Sequence, residues 1–207
     1  PKGLYFKPDG SAFFITENRT DSIFKYDLST AWDITTASIP SFGNVDISAN
    51  ATNASGAYMK PDGTYLWISC NSTDKLHEYY LSTAWDVSSA SFTQDFSLTT
   101  QDNNPGEVFF KSDGTKMYMV GASADKVFQY DVDTAWDLTT VVYRDASLDI
   151  SSQEASVSGL FFKPDGTKMY ICGQASDSVH EYSLSTAWNV TTASHVRSLN
   201  VFDKEPS

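Results

Sequence analysis

The sequence predicts an all-β fold, a β-propeller made of four repeats of about 52 residues, each a four-stranded antiparallel blade. The tetrapeptide K-[PS]-D-G occurs at Lys7-Pro8-Asp9-Gly10, Lys60-Pro61-Asp62-Gly63, Lys111-Ser112-Asp113-Gly114 and Lys163-Pro164-Asp165-Gly166, its Asp recurring after 53, 51 and 52 residues. A second landmark, T-A-W-[DN], keeps the same three steps at Trp32, Trp85, Trp136 and Trp188. Between the landmarks the strands grade from apolar on both faces to variable and polar, the order in which a radial blade runs from axis to rim. A period of this length marks one supersecondary unit that buries its apolar faces by stacking on its neighbours. The steps divide a single domain, 1–207, into blades at about 3–55, 56–105, 106–158 and 159–207.

The first strand of each repeat ends in Leu4-Tyr5-Phe6, Ala57-Tyr58-Met59, Val108-Phe109-Phe110 or Leu160-Phe161-Phe162, short apolar runs that suit a strand covered on both faces. The Pro-Asp-Gly after it supplies a fixed φ and then a residue free to take positive φ, which is hairpin chemistry. The second strand returns as Phe13-Phe14-Ile15, Leu66-Trp67-Ile68, Met117-Tyr118-Met119 and Met169-Tyr170-Ile171, with an aromatic always in the middle. A polar loop then closes on Asp21, Asp74, Asp125 or Asp177, each 12 residues after the landmark Asp. In the third strand, a long polar residue (Lys25, Glu78, Gln129, Glu181) shows the sheet reaching solvent. Thr30, Thr83, Thr134 and Thr186 are then placed to cap a single helical turn, and a variable rim strand follows.

Composition narrows the partners. A net charge of -12 opposes a phosphate backbone, so no nucleic acid is expected, and no apolar run is long enough for a membrane helix, so no membrane insertion is expected. The step from Trp188 through joined ends to Trp32 matches the internal period, which suits a closed monomeric ring; two crescents pairing into a larger ring is the alternative. Cys70 and Cys172 read as free, buried, small apolar residues.

A residue present in all four copies serves the blade first. The four tryptophans read as plugs between adjacent blades rather than sugar-stacking platforms. Lys7, Lys60, Lys111 and Lys163 read as cations paired locally with the turn carboxylates. His77 and His180 occupy the slot of Phe24 and Phe128, a core aromatic position that accepts His. No Ser-His-Asp constellation, H-E-x-x-H, glycine-rich phosphate loop or zinc-spaced Cys/His cluster occurs, so neither a catalytic residue, a cofactor nor a metal is assigned. The loops between second and third strands do vary between repeats, and binding on repeat scaffolds concentrates in such loops. The candidate ligand-binding residues are Asn18, Arg19, Asp21, Asn71, Asp74, Asp125, Gln174 and Asp177.

The order apolar strand, PDG turn, [MF]-Y-[IV], Asp loop, V-x-x-Y-[DS] and rim strand resembles the YVTN-type and related surface-protein β-propeller repeats. The wording K-P-D-G-T-K-M-Y and Y-[DS]-L-S-T-A-W-[DN], clearest in Lys163 to Val190, is similar to repeats of marine bacterial and phage proteins. The departures are Ser112 for Pro, Asn189 for Asp, and Glu107 where other repeats carry Gly3, Gly56 and Gly159. The resemblance implies a propeller and leaves activity open, because propellers host enzymes, lectins and scaffolds alike. The expected role is a non-enzymatic binding or scaffold module, extracellular, cell-surface or virion-borne, recognising a glycan (carbohydrate binding) or a protein partner through its loops. The alternatives are a purely structural segment of a surface or tail-fibre protein and a lactonase-like propeller hydrolase with a channel metal.

Overall fold

The computed structural model describes residues 2–38 and 43–202, and these are mostly strand and turn, with four 3-10 turns of three residues each as the complete helical elements among them. The termini Pro1 and Ser207, on which the ring-closure expectation rests, lie outside the described residues. Blade 1 holds β1 (Leu4–Phe6), β2 (Ala12–Glu17), β3 (Ser22–Leu28) and a fourth position divided into β4 (Ala37–Ser38) and β5 (Asn44–Asp46), both paired with β3. Blade 2 holds β6 (Ala54–Met59), β7 (Tyr65–Cys70), β8 (Lys75–Leu81) and β9 (Ala90–Ser97). Blade 3 holds β10 (Pro105–Phe110), β11 (Lys116–Gly121), β12 (Lys126–Val132) and β13 (Val141–Asp149). Blade 4 holds β14 (Val157–Phe162), β15 (Lys168–Gly173), β16 (Ser178–Leu184) and β17 (Ala193–Asn200). Within each sheet the strands follow chain order and every pair is antiparallel.

The chain forms two compact units, one running to Ser97 with blades 1 and 2, the other from Leu98 with blades 3 and 4. In the first, Phe14 and Ile23 of blade 1 share a core with Met59, Leu66, Ile68 and Val87 of blade 2. In the second, Tyr118, Val120 and Val127 of blade 3 share a core with Phe162, Met169, Ile171 and Val190 of blade 4. The inner strands of blades 2, 3 and 4 begin earlier than their apolar runs, each with a register shift, as at Pro105/Val108, before the regular ladder resumes. That shift bends the strand entry without disturbing the in–out alternation of the core residues beyond it.

Each tryptophan is fastened to the glycine of its own repeat. Trp32, Trp85, Trp136 and Trp188 all sit at φ between 65 and 68°, in the left-handed region that bulky residues avoid. Their backbone N–H groups donate to the carbonyls of Gly10, Gly63, Gly114 and Gly166 at 2.9–3.1 Å. Their indoles lie so close over these glycines that a Cβ there would overlap the ring. The glycines are required twice, for this approach and for their own φ of 72–76°. The expected gap-filling role holds inside each unit: Trp85 stacks on Phe14 of blade 1 at 6.2 Å and Trp188 lies 6.3 Å from Tyr118 of blade 3. Trp32 instead stacks on Phe6 of its own blade at 5.4 Å and stays largely exposed.

Three expectations need correction. Of the third-strand polar residues read as the sheet reaching solvent, Glu78 and Gln129 are buried, their polar ends engaged by Trp67 Nε1–H and Val190 N–H. The 3-10 turns are capped by Asp33, Asp86, Asp137 and Asn189, whose side chains accept from the N–H two residues on, and not by the preceding threonines. Thr30 instead lends its carbonyl to Asp33 N–H, and its own N–H donates to Thr36 Oγ1. Cys172 is exposed, whereas Cys70 is buried; both thiols are free. The turn lysines pair as expected, Lys7–Asp9 and Lys60–Asp62 at 2.8 Å, Lys111–Asp113 and Lys163–Asp165 at 2.6 Å.

Candidate functional site

The loop residues singled out by sequence fall into separate groups. In the unit that runs to Ser97, Asn18 Nδ2 donates to Asn53 Oδ1 at 2.8 Å and Asn53 Nδ2 donates to Asn71 Oδ1 at 2.5 Å. Asp21 Oδ1 accepts from Asn53 N–H at 3.0 Å, so Asn18, Asn71 and Asp21 converge on one residue between blades 1 and 2. Asn18 and Asn71 are thus joined through Asn53, while the buried Asn18 Oδ1 has no hydrogen-bond partner among the described residues. Arg19 is exposed beside them, its N–H donating to Glu17. Asp21, Asp74, Asp125 and Asp177 all take positive φ of 44–52°, and the carbonyls of Asp21, Asp125 and Asp177 accept from Ile47, Ile150 and Val201. Their repetition is therefore explained by the turn, since Asp tolerates the left-handed region better than most residues. Gln174 donates its N–H to the Ser156 carbonyl at 3.1 Å.

Cys70 and His77 lie in the same unit. Burial pushes the Cys70 thiol up, but hydrogen bonds from His77, Ser72 and Thr73 bring it down to about 6. The sulfur is nevertheless fully buried, which keeps this thiol from acting as a nucleophile toward a ligand.

A different chemistry gathers where β10, β14 and β15 meet in the second unit. Glu107 stands on β10, the innermost strand of blade 3, at the position that is glycine in the other repeats. Its Oε2 accepts from Leu160 N–H on β14 at 2.9 Å, while Cys172 on β15 approaches from the same side, packed against Gly159. Burial raises the Glu107 carboxyl to about 7, the single Leu160 N–H offsetting only part of that. Although Cys172 is exposed as a residue, local burial of its sulfur and then the charge of Glu107 raise the thiol, so it stays protonated near neutrality. As a whole residue Glu107 is half-buried.

A second hydrogen-bonded cluster runs through blade 4. The buried Glu154 accepts from Ser156, Ala175 and Ser176 N–H groups and from Ser176 Oγ at 2.6 Å. Burial opposes its charge, but these donors, Ser176 Oγ foremost, hold the carboxyl below its ordinary value. Ser176 Oγ meets His180 Nε2 at 2.8 Å, and His180 Nδ1 meets Ser198 Oγ at 2.8 Å. Asp102 holds the loop before β10 in the same way, accepting from Asn104, Ser123 and Ala124. Sequence reasoning noticed Glu107 only as a departure and missed Asp102 and Glu154. The signal for Glu107 lay in its standing in one copy only; Asp102 and Glu154 share one repeat position, where Ala51 stands in the preceding copy.

Among the described residues, no group of three or more His, Cys, Asp or Glu side chains is arranged to hold a metal ion. No described helix is long and apolar enough to cross a membrane.

Comparison with known proteins bears on fold and family. A Bacteroides uniformis protein assigned as a 6-phosphogluconolactonase superposes with a TM-score of 0.64 at 13% identity, over 96% of this chain and 54% of its own. The periplasmic gluconolactonase of Pseudomonas aeruginosa gives 0.63 at 13%, over 96% and 53%. A functionally unknown protein of Desulfotomaculum acetoxidans gives 0.58 at 11%, over 95% and 55%. At these identities the likeness speaks for the propeller fold alone, and the chain spans about half the length of these structures. No curated protein matches the sequence. Four blades of this construction, and a family model that matches residues 54–202, lead to one assignment: the chain belongs to the family described as Lactonase, 7-bladed beta-propeller.

Proposed function

We propose that the chain carries the hydrolytic face of a lactone-opening propeller, with Glu107 as general base. The family supports a lactonase over the binding module expected from the loops, whose asparagines are already engaged with each other. The observation that carries the reading is Glu107 itself, a half-buried residue on an innermost strand whose carboxyl is raised to about 7, present in one repeat only. A base is most useful when its pKa lies near the working pH.

In this reading the Glu107 carboxylate takes a proton from water as the water oxygen bonds to the lactone carbonyl carbon. The ring C–O bond then breaks, and the departing ring oxygen takes the proton back from Glu107, giving the open hydroxy acid. A channel metal is not part of the proposal, because the described donors do not assemble one. The net charge of -12 favours an uncharged lactone over a phosphorylated one.

A pH-stat assay with δ-gluconolactone tests it. Hydrolysis above the spontaneous rate should rise with pH through about 7, as the base ionises. Glu107→Gln should lower kcat by roughly 10²-fold or more, the usual loss for a general base. A rate equal to buffer, or an unchanged Gln variant, overturns the proposal.

A further inference from the structure

Blade 4 carries a histidine pair that the other blades lack. The chain holds three histidines, and two of them, His180 on β16 and His195 on β17, stand where blade 3 has Phe128 and Tyr143. Blade 2 has His77 and Phe92 at the same places. All three pairs face each other with ring centroids 5.8–6.2 Å apart, so the slots are aromatic ones and a second imidazole is unnecessary to the packing. A residue found in one copy only is free to serve something other than the blade.

The hydrogen bonds fix which nitrogen of His180 is bare. Ionised Glu154 can only accept, so the Ser176 hydroxyl spends its proton on Oε2 at 2.6 Å. The 2.8 Å contact between His180 Nε2 and that same hydroxyl oxygen is then donated by the ring. This leaves the neutral His180 with its lone pair on Nδ1. Nδ1 lies 2.8 Å from Ser198 Oγ, and His195 Nε2 lies 3.0 Å from the same oxygen. Two imidazole nitrogens from neighbouring strands thus converge on one hydroxyl. His180 is buried, whereas His195 and Ser198 are exposed, and the His195 ring is seated edge-on against Tyr182 at 5.4 Å. Burial and the adjacent His195 hold His180 below its ordinary value, so the ring is neutral near pH 7.

We propose that His180 Nδ1 and His195 Nε2 bind a divalent transition metal ion of the zinc, nickel and copper class, with Ser198 Oγ and water completing its shell. Imidazole is a ligand these ions favour. A ligating histidine ordinarily donates its other N–H to a carboxylate, a carbonyl or water, which fixes the ring and its tautomer. Here Ser176 relays the buried Glu154 carboxylate to His180 Nε2–H, so the charge behind the ring is already in place. On binding, the His195 Nε2 proton moves to the Nδ1 of that exposed ring, and the Ser198 hydroxyl turns its proton away from His180. Two imidazoles make a more open site than the four protein ligands of a structural zinc centre, so the ion exchanges with solvent. The site lies on the two outer strands of blade 4, apart from Glu107 on β10, and stands independently of the hydrolase reading.

Calorimetric titration with zinc chloride in a non-chelating buffer, at about pH 7.5 where imidazole is neutral, tests the proposal. The wild type should saturate at one ion per chain in the micromolar range, and nitrogen-15 NMR should show the ion shifting His180 Nδ1 and His195 Nε2. His180→Phe and His195→Phe copy the rings that blades 3 and 2 carry at these places, so both keep the packing. Each should weaken binding about tenfold or more, since even an outer partner of a ligand is worth that much. His77→Phe should bind as the wild type does, because blade 2 has no second imidazole. A wild type that takes up no zinc, an affinity that survives in folded His180→Phe or His195→Phe, or one that disappears in His77→Phe would each overturn it.

Discussion

Glu107 shows how one side chain departs from a repeat and what the departure does. Its folded pKa, about 7, lies above the ordinary 4.5, so the folded chain holds this proton more tightly than the unfolded one. Its contribution to stability is therefore full below about pH 4.5 and falls as pH rises through about 7. Glu107→Gln keeps an acceptor for Leu160 N–H and removes the charge. Urea unfolding should find the Gln variant equal to wild type at about pH 4 and more stable at about pH 8 by roughly 1–3 kcal/mol, since each tenfold gain in proton affinity corresponds to about 1.4 kcal/mol. A wild type at least as stable as the variant under the alkaline condition would show that burial does not strain this carboxylate. The residue was legible in the sequence as an oddity, since three glycines stand in its place. The approach of Cys172 was not, because it depends on how β10 of one repeat meets β14 and β15 of the next.

The turns and the tryptophans act at the scale of the strand pair. Gly114 holds φ 74° under the Trp136 indole, so Gly114→Ala adds a left-handed backbone penalty of about 1–2 kcal/mol and displaces the ring as well. Chemical denaturation should show a loss of at least about 2 kcal/mol, together with altered tryptophan fluorescence; a smaller loss would mean the clasp yields easily. Trp188 is packed by Phe109, Tyr118 and Phe162, so Trp188→Ala should cost about 3 kcal/mol or more, as for other large aromatics. Trp32→Ala should cost less than half as much because the ring is largely exposed. Acid reaches the turns last. Asp113 is held at about 2: burial opposes its charge, and Lys111 and Thr115 overcome that. Its contribution is present above the ordinary 3.8 and is lost as pH falls through about 2. The strands themselves were readable from alternation around Phe14, Trp67, Tyr118 and Tyr170. The true caps were less so, because Thr30 and Asp33 are both good capping residues and only the backbone decides between them.

Across the whole molecule, the repeat made fold class and blade number legible, while activity was not, because landmarks kept in every copy are spent on holding the blade. Far-UV circular dichroism should be dominated by strand, with helix below about a tenth of residues, since only the short 3-10 turns contribute any. Helix near the usual third would contradict the architecture. The tryptophan–glycine clasp also bears on heredity. Gly10 and Trp32, like the three later pairs, belong to the same period of the chain, so any DNA segment one period long encodes both halves of the fastening, wherever the breaks fall beyond them. Unequal recombination between such segments adds or removes whole blades with their fastenings complete. The gene can therefore change its blade number in one step without first inventing a new corner for the chain to turn.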